Sequence, residues 1–414
     1  MNRVKPELLA PAGDRERLEA AVRYGADAVY LAGKSFGMRS APANFGEEEL
    51  REAVSFCHEN GVKVYVTCNT LPRNEEFKEL PAFLAACQDM GVDAFIISDL
   101  GVLAMAKQAA PKVERHISTQ TGIVNYAAAQ VCWELGAKRV VLAREVPLSE
   151  IKGIRENTDP DLELEAFVHG AMCMSFSGRC VISNYLTGRD ANRGECAQPC
   201  RWEYHLTEAQ RPGEEFTLVQ EEKGAYFFNS NDLRMIDHIP EMMDAGITSL
   251  KIEGRAKSAY YAAIVTGAYR HWLDAAAAYR RAIDFAWEHP GEPLPASILE
   301  ETEKISHRPY SQGFYFGGEP GQTLDRSHYA RNYELVAVCE GREGNCLRLR
   351  ERNRFFQGQV VDILQPGKDP FTAELTELYN QDWEPIQVAP HAEMVVYWKT
   401  DADVAPGAYL RIKK

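Results

Sequence analysis

The chain has 414 residues, 45% apolar and 26% charged, the composition of a soluble globular protein too long for one ordinary core, so two or three domains are expected. Its formal charge of −14 argues against broad adhesion to nucleic acid, although a local basic mouth on an acidic body is compatible with it. No stretch is apolar for long enough to cross a bilayer, and the opening "MNRVKPELLAPAGDRERL" is too interrupted for a signal peptide, so a cytoplasmic, reducing setting is expected.

The first predicted strand lies in "ELLAPAG", followed by a helix near residues 15–24 and a second strand in "ADAVYLAG". The same strand–helix unit recurs through "KVYVTCN", "AFIISD", "RHISTQ", "RVVLARE" and "LELEAFVHG". Several helices close on a glycine turn before the next strand, as in "RYGADAVY", "ENGVKVYV", "DMGVDAFI" and "ELGAKRVV". After an interruption at about residues 171–227 the unit returns in "DAGITSLKIEGR". Eight strands close a (β/α)8, TIM-like barrel. An open doubly wound sheet is the alternative, but no glycine-rich dinucleotide fingerprint follows the first strand. Beyond residue 332 the pattern changes to short alternating segments, "YELVAVCEG", "NCLRLRER", "QVVDILQP", "AEMVVYWKT" and "AYLRIKK", which predict a small all-β barrel or sandwich. The expected organisation is a catalytic barrel over residues 1–290 with a cysteine-rich module at 171–227 before its last strand. A linker and helix follow over 291–331, and a C-terminal β-barrel domain over 332–414.

Four of the ten cysteines, Cys173, Cys180, Cys196 and Cys200, fall in "CMSFSGRCVISNYLTGRDANRGECAQPC", where serines, glycines and arginines do not make a core. The other six, Cys57, Cys68, Cys87, Cys132, Cys339 and Cys346, sit in apolar contexts and read as buried thiols. For the four, spacing leaves open bystander thiols, a structural zinc site and an iron–sulfur cluster. The Cys173 to Cys180 interval is looser than zinc pairs usually are, and a cluster tolerates wider spacing than one ion. The radical-type CxxxCxxC signature is absent, because Glu203 stands three after Cys200.

The segment "EAFVHGAMCMSFSGRCVISNYLTGRDANRGECAQPCRW" resembles the signature of peptidase family U32, the collagenase-like family. The likeness extends to "LLAPAGDRERLEAAVRYGADAVYLAGKSFGMR", "STQTGIVN", "NSNDL" and "SLKIEGR", and to the β-domain, so it covers essentially the whole chain. The family includes oxygen-independent hydroxylases that carry a four-iron, four-sulfur cluster and take the hydroxyl oxygen from prephenate. The chain is most similar to the branch that converts the tRNA wobble uridine to 5-hydroxyuridine. Relatives acting on 23S rRNA or the ubiquinone ring, and a family protease, are the alternatives. The resemblance implies that Cys173, Cys180, Cys196 and Cys200 hold the cluster, and it implies tRNA and a small dicarboxylate as partners. An accessory protein or a homo-oligomer is compatible with it.

Strand ends of a barrel converge on one mouth, which places Asn69, Asp99, Gln120, Arg144, Glu145, His169, Lys251, Glu253 and Arg255 near one another. A dicarboxylate needs cationic partners, for which Arg144, Arg179, Lys251 and Arg255 are the candidates, with Asn69 and Gln120 as further substrate contacts. His169, Glu145 and Glu253 are the candidate acid–base groups, although Arg144–Glu145 and Lys251–Glu253 also read as structural pairs. Tyr185, Trp202 and Tyr204 are candidates for stacking on an extruded base, and Arg348, Arg350, Arg352 and Arg354 for phosphate contact. A protease would need a visible nucleophile and base, and neither HExxH nor GxSxG occurs.

Overall fold

The computed structural model describes residues 4–37, 44–173, 230–253, 271–305, 307–318 and 332–414, with short pieces at 175–176, 182–189, 197, 199, 203–204, 225–226, 321 and 330. The eight expected strands form a closed parallel ring. β1 (Glu7–Pro11), β2 (Ala28–Leu31), β3 (Lys63–Cys68), β4 (Ala94–Ile97), β5 (Glu114–Ile117), β6 (Arg139–Val141) and β7 (Glu163–Ala171) pair in order. β8 (Glu203–Tyr204) and β9 (Ala225–Tyr226) form a separate two-stranded ribbon. β10 (Asp232–Arg234) precedes β11 (Ser249–Ile252), which closes the ring by pairing with both β7 and β1. The open-sheet alternative is thereby excluded.

Strands covered on both sides must be apolar nearly throughout, which is why runs such as "AVYL" and "AFII" are wholly buried. The helices α1 (Arg15–Arg23), α2 (Glu47–Glu59), α3 (Leu80–Asp89), α4 (Leu100–Ala109), α5 (Tyr126–Glu134) and α6 (Leu148–Glu156) lie outside the ring, followed by α7 (Ile182–Thr187), α8 (Ile239–Asp244) and α9 (His271–Glu288). The glycine turns work as read: Gly91 and Gly136 have φ of +86° and +98°, a conformation that costs other residues about 1 kcal/mol or more.

The barrel interior divides into two halves. Leu9, Ala28, Tyr30, Tyr65, Ala94 and Ile96, all from β1–β4, form an apolar cluster apart from the main core. The other side is ionic, with His116, Arg139, Glu165 and Lys251 all buried. β10 runs antiparallel to the end of β7, pairing Asp232 with Ala171 and Arg234 with His169. It also carries β12 (Tyr310–Ser311) in parallel, so the sheet continues past the ring. The cysteine-rich stretch expected before the last strand lies mostly outside the described residues.

After α10 (Ala296–Glu303), strands from Tyr333–Glu343 to Tyr409–Lys413 build an antiparallel, eight-stranded sheet with its own core around Leu347, Phe355 and Trp398. It docks beneath α1 and α10. The Tyr24 hydroxyl donates towards the carbonyls of Leu364 (3.2 Å) and Gly407 (3.1 Å), and its ring stacks on Tyr409. Arg411 meets Glu301 at 3.0 Å with both side chains buried. Among the described residues no helix is long and apolar enough to cross a membrane.

Candidate functional site

At the C-terminal rim of the barrel, Arg144 ties three strand exits together. Its Nη1 donates to the Ala171 carbonyl (2.9 Å), its Nη2 to Glu253 Oε2 (2.7 Å), and its guanidinium lies 3.9 Å from the centre of the Phe167 ring. Both partners of the ion pair are largely buried, with side chains 11% and 15% exposed. The exits of β7 and β11 also touch directly, the Glu253 amide donating to the His169 carbonyl at 2.9 Å. Between these groups Gly170 has φ +111°, and a Cβ there would stand 2.5 Å from the Glu253 carbonyl oxygen, so glycine is required. Cys173 is exposed two residues past β7, and Glu145 is half-buried beside Arg144 in sequence.

Further round the same rim, past the ends of β3, β4 and β5, stand amides and hydroxyls. Asn69 Nδ2 donates to Gln120 Oε1 at 2.9 Å, and the Ser98 and Ser118 hydroxyls reach the same oxygen at 3.2 and 3.4 Å. Asn69 and Gln120 are therefore brought together, as are Arg144 and Glu253. Asp99, expected at the mouth, caps α4 instead: its Oδ1 accepts from the Gly101 amide at 2.7 Å and the Val102 amide at 3.0 Å.

Lys251 lies deeper than its strand-end position implied. It is buried, its Nζ is 2.7 Å from Glu165 Oε1, and the rings of Tyr30 and Phe167 flank it at 4.6 and 5.5 Å. Below it Arg139 bridges Glu7, Glu163 and Glu165 at 2.6, 2.6 and 3.0 Å, and Tyr65 donates to Glu7 at 2.6 Å. Burial raises the Glu7 carboxyl, but Arg139 and the Tyr65 hydroxyl outweigh it and hold the pKa at about 2. Glu165 is likewise lowered, against burial, by Lys251 and Arg139. His116 is pushed well below its usual value by burial and by Arg139, and so is neutral. This network was missed by sequence reasoning. Its signal was present in the acidic residues Glu163 and Glu165, spaced two apart in an otherwise apolar strand.

His169 is packed between Tyr279 of α9 and Tyr310 of β12, with ring centres 5.6 and 5.7 Å away. Its Nδ1 has no hydrogen-bond partner among the described residues, and burial holds its pKa at about 4, leaving it neutral at pH 7. Arg179, Arg255, Trp202, Cys180, Cys196 and Cys200 lie outside the described residues. Tyr185 on α7 is 88% exposed. In the β-domain, Arg348 and Arg350 both face Glu340 (3.5 and 2.8 Å), and Arg352 pairs with Glu393 and with Glu16. Three of the four arginines read as phosphate contacts thus meet carboxylates on the protein itself. The six remaining cysteines are buried, and burial pushes the Cys57 and Cys87 thiols up to about 12.

Two family profiles match the chain: Peptidase family U32 over residues 13–325 and Peptidase family U32 C-terminal domain over residues 331–411. Among curated relatives, "tRNA hydroxylation protein P1" of Bacillus subtilis is 38% identical, covering 98% of this chain and 94% of the relative. "tRNA hydroxylation protein P" of Escherichia coli is 34% identical over 97% of this chain and 95% of its own length. A protein named "Collagenase" from Porphyromonas gingivalis is 32% identical over 81% of this chain and 79% of its own length.

Proposed function

This chain belongs to peptidase family U32, and from that premise we propose that it is an RNA-modifying hydroxylase that converts the tRNA wobble uridine to 5-hydroxyuridine. The observation that carries the reading is the near end-to-end likeness to two tRNA hydroxylation proteins, with barrel and β-domain both covered.

Cys173, Cys180, Cys196 and Cys200 would hold an iron–sulfur cluster. The fit rests on Cys173, which is exposed beside the rim while the six cysteines outside the motif are buried, and on the thiol-only donor set. When bound, such a cluster supplies electron transfer that no side chain here provides. The chain's own residues supply position and charge. Arg144 offers a planar fork at the rim and would exchange Glu253 for a carboxylate of the donor, prephenate, with Arg179 and Arg255 as further candidates. Lys251, committed to Glu165 under the Phe167 ring, contributes field to the floor of the mouth. Each described histidine that hydrogen-bonds through its ring does so to a carboxylate, an amide or a carbonyl, as His58 does to Asp93 and His307 to Arg308. None of these six contacts goes to a serine or cysteine, so they lend no support to a serine- or cysteine-type peptidase mechanism.

The test is nucleoside analysis of tRNA from a deletion strain, with iron and sulfide measured on protein purified without oxygen. Loss of 5-hydroxyuridine derivatives together with bound iron is expected. Intact derivatives with altered 23S rRNA would move the acceptor, and stoichiometric zinc without iron would sink the cluster.

A further inference from the structure

In the β-domain the strands Glu377–Tyr379 and Pro385–Ile386 pair antiparallel, Tyr379 opposite Pro385, and the chain turns between them through residues 380–384. We propose that Trp383, in this turn, is a docking pad for an arginine-bearing basic segment of a protein partner, a role separate from the hydroxylase reading.

The turn is built to present that ring. The Asn380 amide donates to the Glu384 carbonyl at 2.9 Å and the Trp383 amide to the Asn380 carbonyl at 3.1 Å. Asn380 Oδ1 accepts from the Asp382 and Glu384 amides, each at 2.9 Å. Trp383 has φ of +62°, a left-handed backbone that glycine adopts freely and a bulky side chain reaches only at a cost. Hairpin turns of this kind usually place glycine there. Burial does not recover the cost, since Trp383 stays 49% exposed. Its ring lies flat on Tyr397 instead, with centres 4.3 Å apart and planes at 20°, and the Tyr379 ring stands at 6.3 Å. With one indole face covered by Tyr397, the exposure falls on the other face and the edges. A bulky residue held against its backbone preference and left in water points to binding.

The charges around the pad decide what it takes. Asp382 and Glu384 flank Trp383 in the chain; Glu384 accepts from Asn380 Nδ2 at 3.1 Å, and the Asp382 carboxylate meets no partner among the described residues. The Tyr379 and Tyr397 hydroxyls donate to Glu377 (2.9 Å) and Glu343 (3.3 Å). Lys399 is bound to Glu377 at 3.0 Å, and Arg348, opposite Tyr397 across the strands, faces Glu340 at 3.5 Å. Carboxylates thus outnumber cations around the three rings, which opposes a phosphate-bearing ligand and favours a cation. Tryptophan offers the best aromatic face for a cation, and a planar guanidinium stacks on it.

The experiment uses the full-length protein labelled with 5-fluorotryptophan, followed by fluorine NMR, and two probes: an acetylated (Gly-Arg)4 peptide and hexauridylate. Trp383→Gly identifies the Trp383 resonance and suits the backbone of the turn. The peptide is expected to move that resonance saturably and to leave that of the buried Trp398 in place, while hexauridylate moves neither. By anisotropy of the fluorescein-labelled peptide, Trp383→Gly should weaken binding about three- to fivefold, the contribution of an exposed cation–π contact. The double variant Asp382→Asn/Glu384→Gln keeps the ring and should weaken binding by a similar factor, and it carries the test if Trp383→Gly does not fold. A Trp383 resonance that the peptide leaves unmoved, or a peptide affinity unchanged in the folded variants, overturns the proposal. A resonance that hexauridylate moves as far as the peptide does overturns the cationic partner in favour of base stacking.

Discussion

Glu165 is the carboxylate on which the buried ionic half of the barrel turns. Replacing it with methionine leaves the Lys251 ammonium with two aromatic faces, Tyr30 at 4.6 Å and Phe167 at 5.5 Å, and no carboxylate at 2.7 Å. Glu165 has no exposure and the Lys251 side chain only 6%, so water cannot take over the lost partner. Breaking a buried pair from one side costs about 3–5 kcal/mol. The low end applies, because Arg139 keeps Glu7 and Glu163. A barrel of ~250 residues unfolds with an entropy of roughly 0.5 kcal/mol/K, so ~3 kcal/mol lowers its melting temperature by about 6 °C. The double variant Glu165→Met/Lys251→Met removes the stranded charge and should regain more than half of that loss. Calorimetry of the wild type, both single variants and the double variant measures the coupling. A Glu165→Met protein that melts within a degree of wild type, or a double variant no better than the worse single, would refute the network's role.

Acid should unfold the barrel in a defined window. The Glu7 carboxyl is held at about 2 against 4.5 unfolded, a depressed acid whose contribution of roughly 3 kcal/mol is present above pH 5 and lost as pH falls towards 2. His169, held at about 4 against 6.5, must stay neutral to remain buried, so its contribution is also lost as pH falls, between 6.5 and 4. Urea midpoints from pH 7 to 3 should drop steadily, and Glu7→Gln should flatten the lower part of that curve. Cys173→Ala, purified anaerobically, should lose its iron while Cys132→Ala, a buried thiol on α5, retains it, as read by iron assay. Arg144→Ala should weaken prephenate use about a hundredfold with iron content intact, since an unpaired carboxylate costs about 2–5 kcal/mol and each 1.4 kcal/mol is tenfold. Unchanged donor titration in that variant would place the clamp elsewhere.

The ring of strands was legible because most strands are apolar runs and several follow a glycine turn, a signal that needs no knowledge of partners. The rim residues Asn69, Gln120, Arg144 and Glu253 were legible for a related reason: they follow strand ends, and a parallel barrel brings all such ends to one face. Depth was not legible. Lys251 lies within β11 and Glu253 one residue past its end, and the register with β7 shifts between Lys251 and Ile252, so one lies under the Phe167 ring and the other at the rim. Asp99 was misplaced although "SDLGVLAMAKQ" carries a helix-capping signal, an aspartate just before an apolar run. β10 escaped notice because three residues carry no periodicity, and its pairing with β7 depends on a return from far along the chain.

That pairing makes the cysteine-rich excursion a splice. The chain leaves the sheet at Ala171 and re-enters at Asp232, and these two residues are direct cross-strand partners although sixty others lie between them. Both ends of the excursion are thus fastened at one point, and the barrel's hydrogen bonds run across the junction. Loop-closure entropy grows only with the logarithm of length, about 0.6 kcal/mol for each doubling, so the excursion can lengthen or shorten with little effect on the scaffold. The barrel's own strand pairing therefore stays closed across the junction whatever the length of the chain between Ala171 and Asp232.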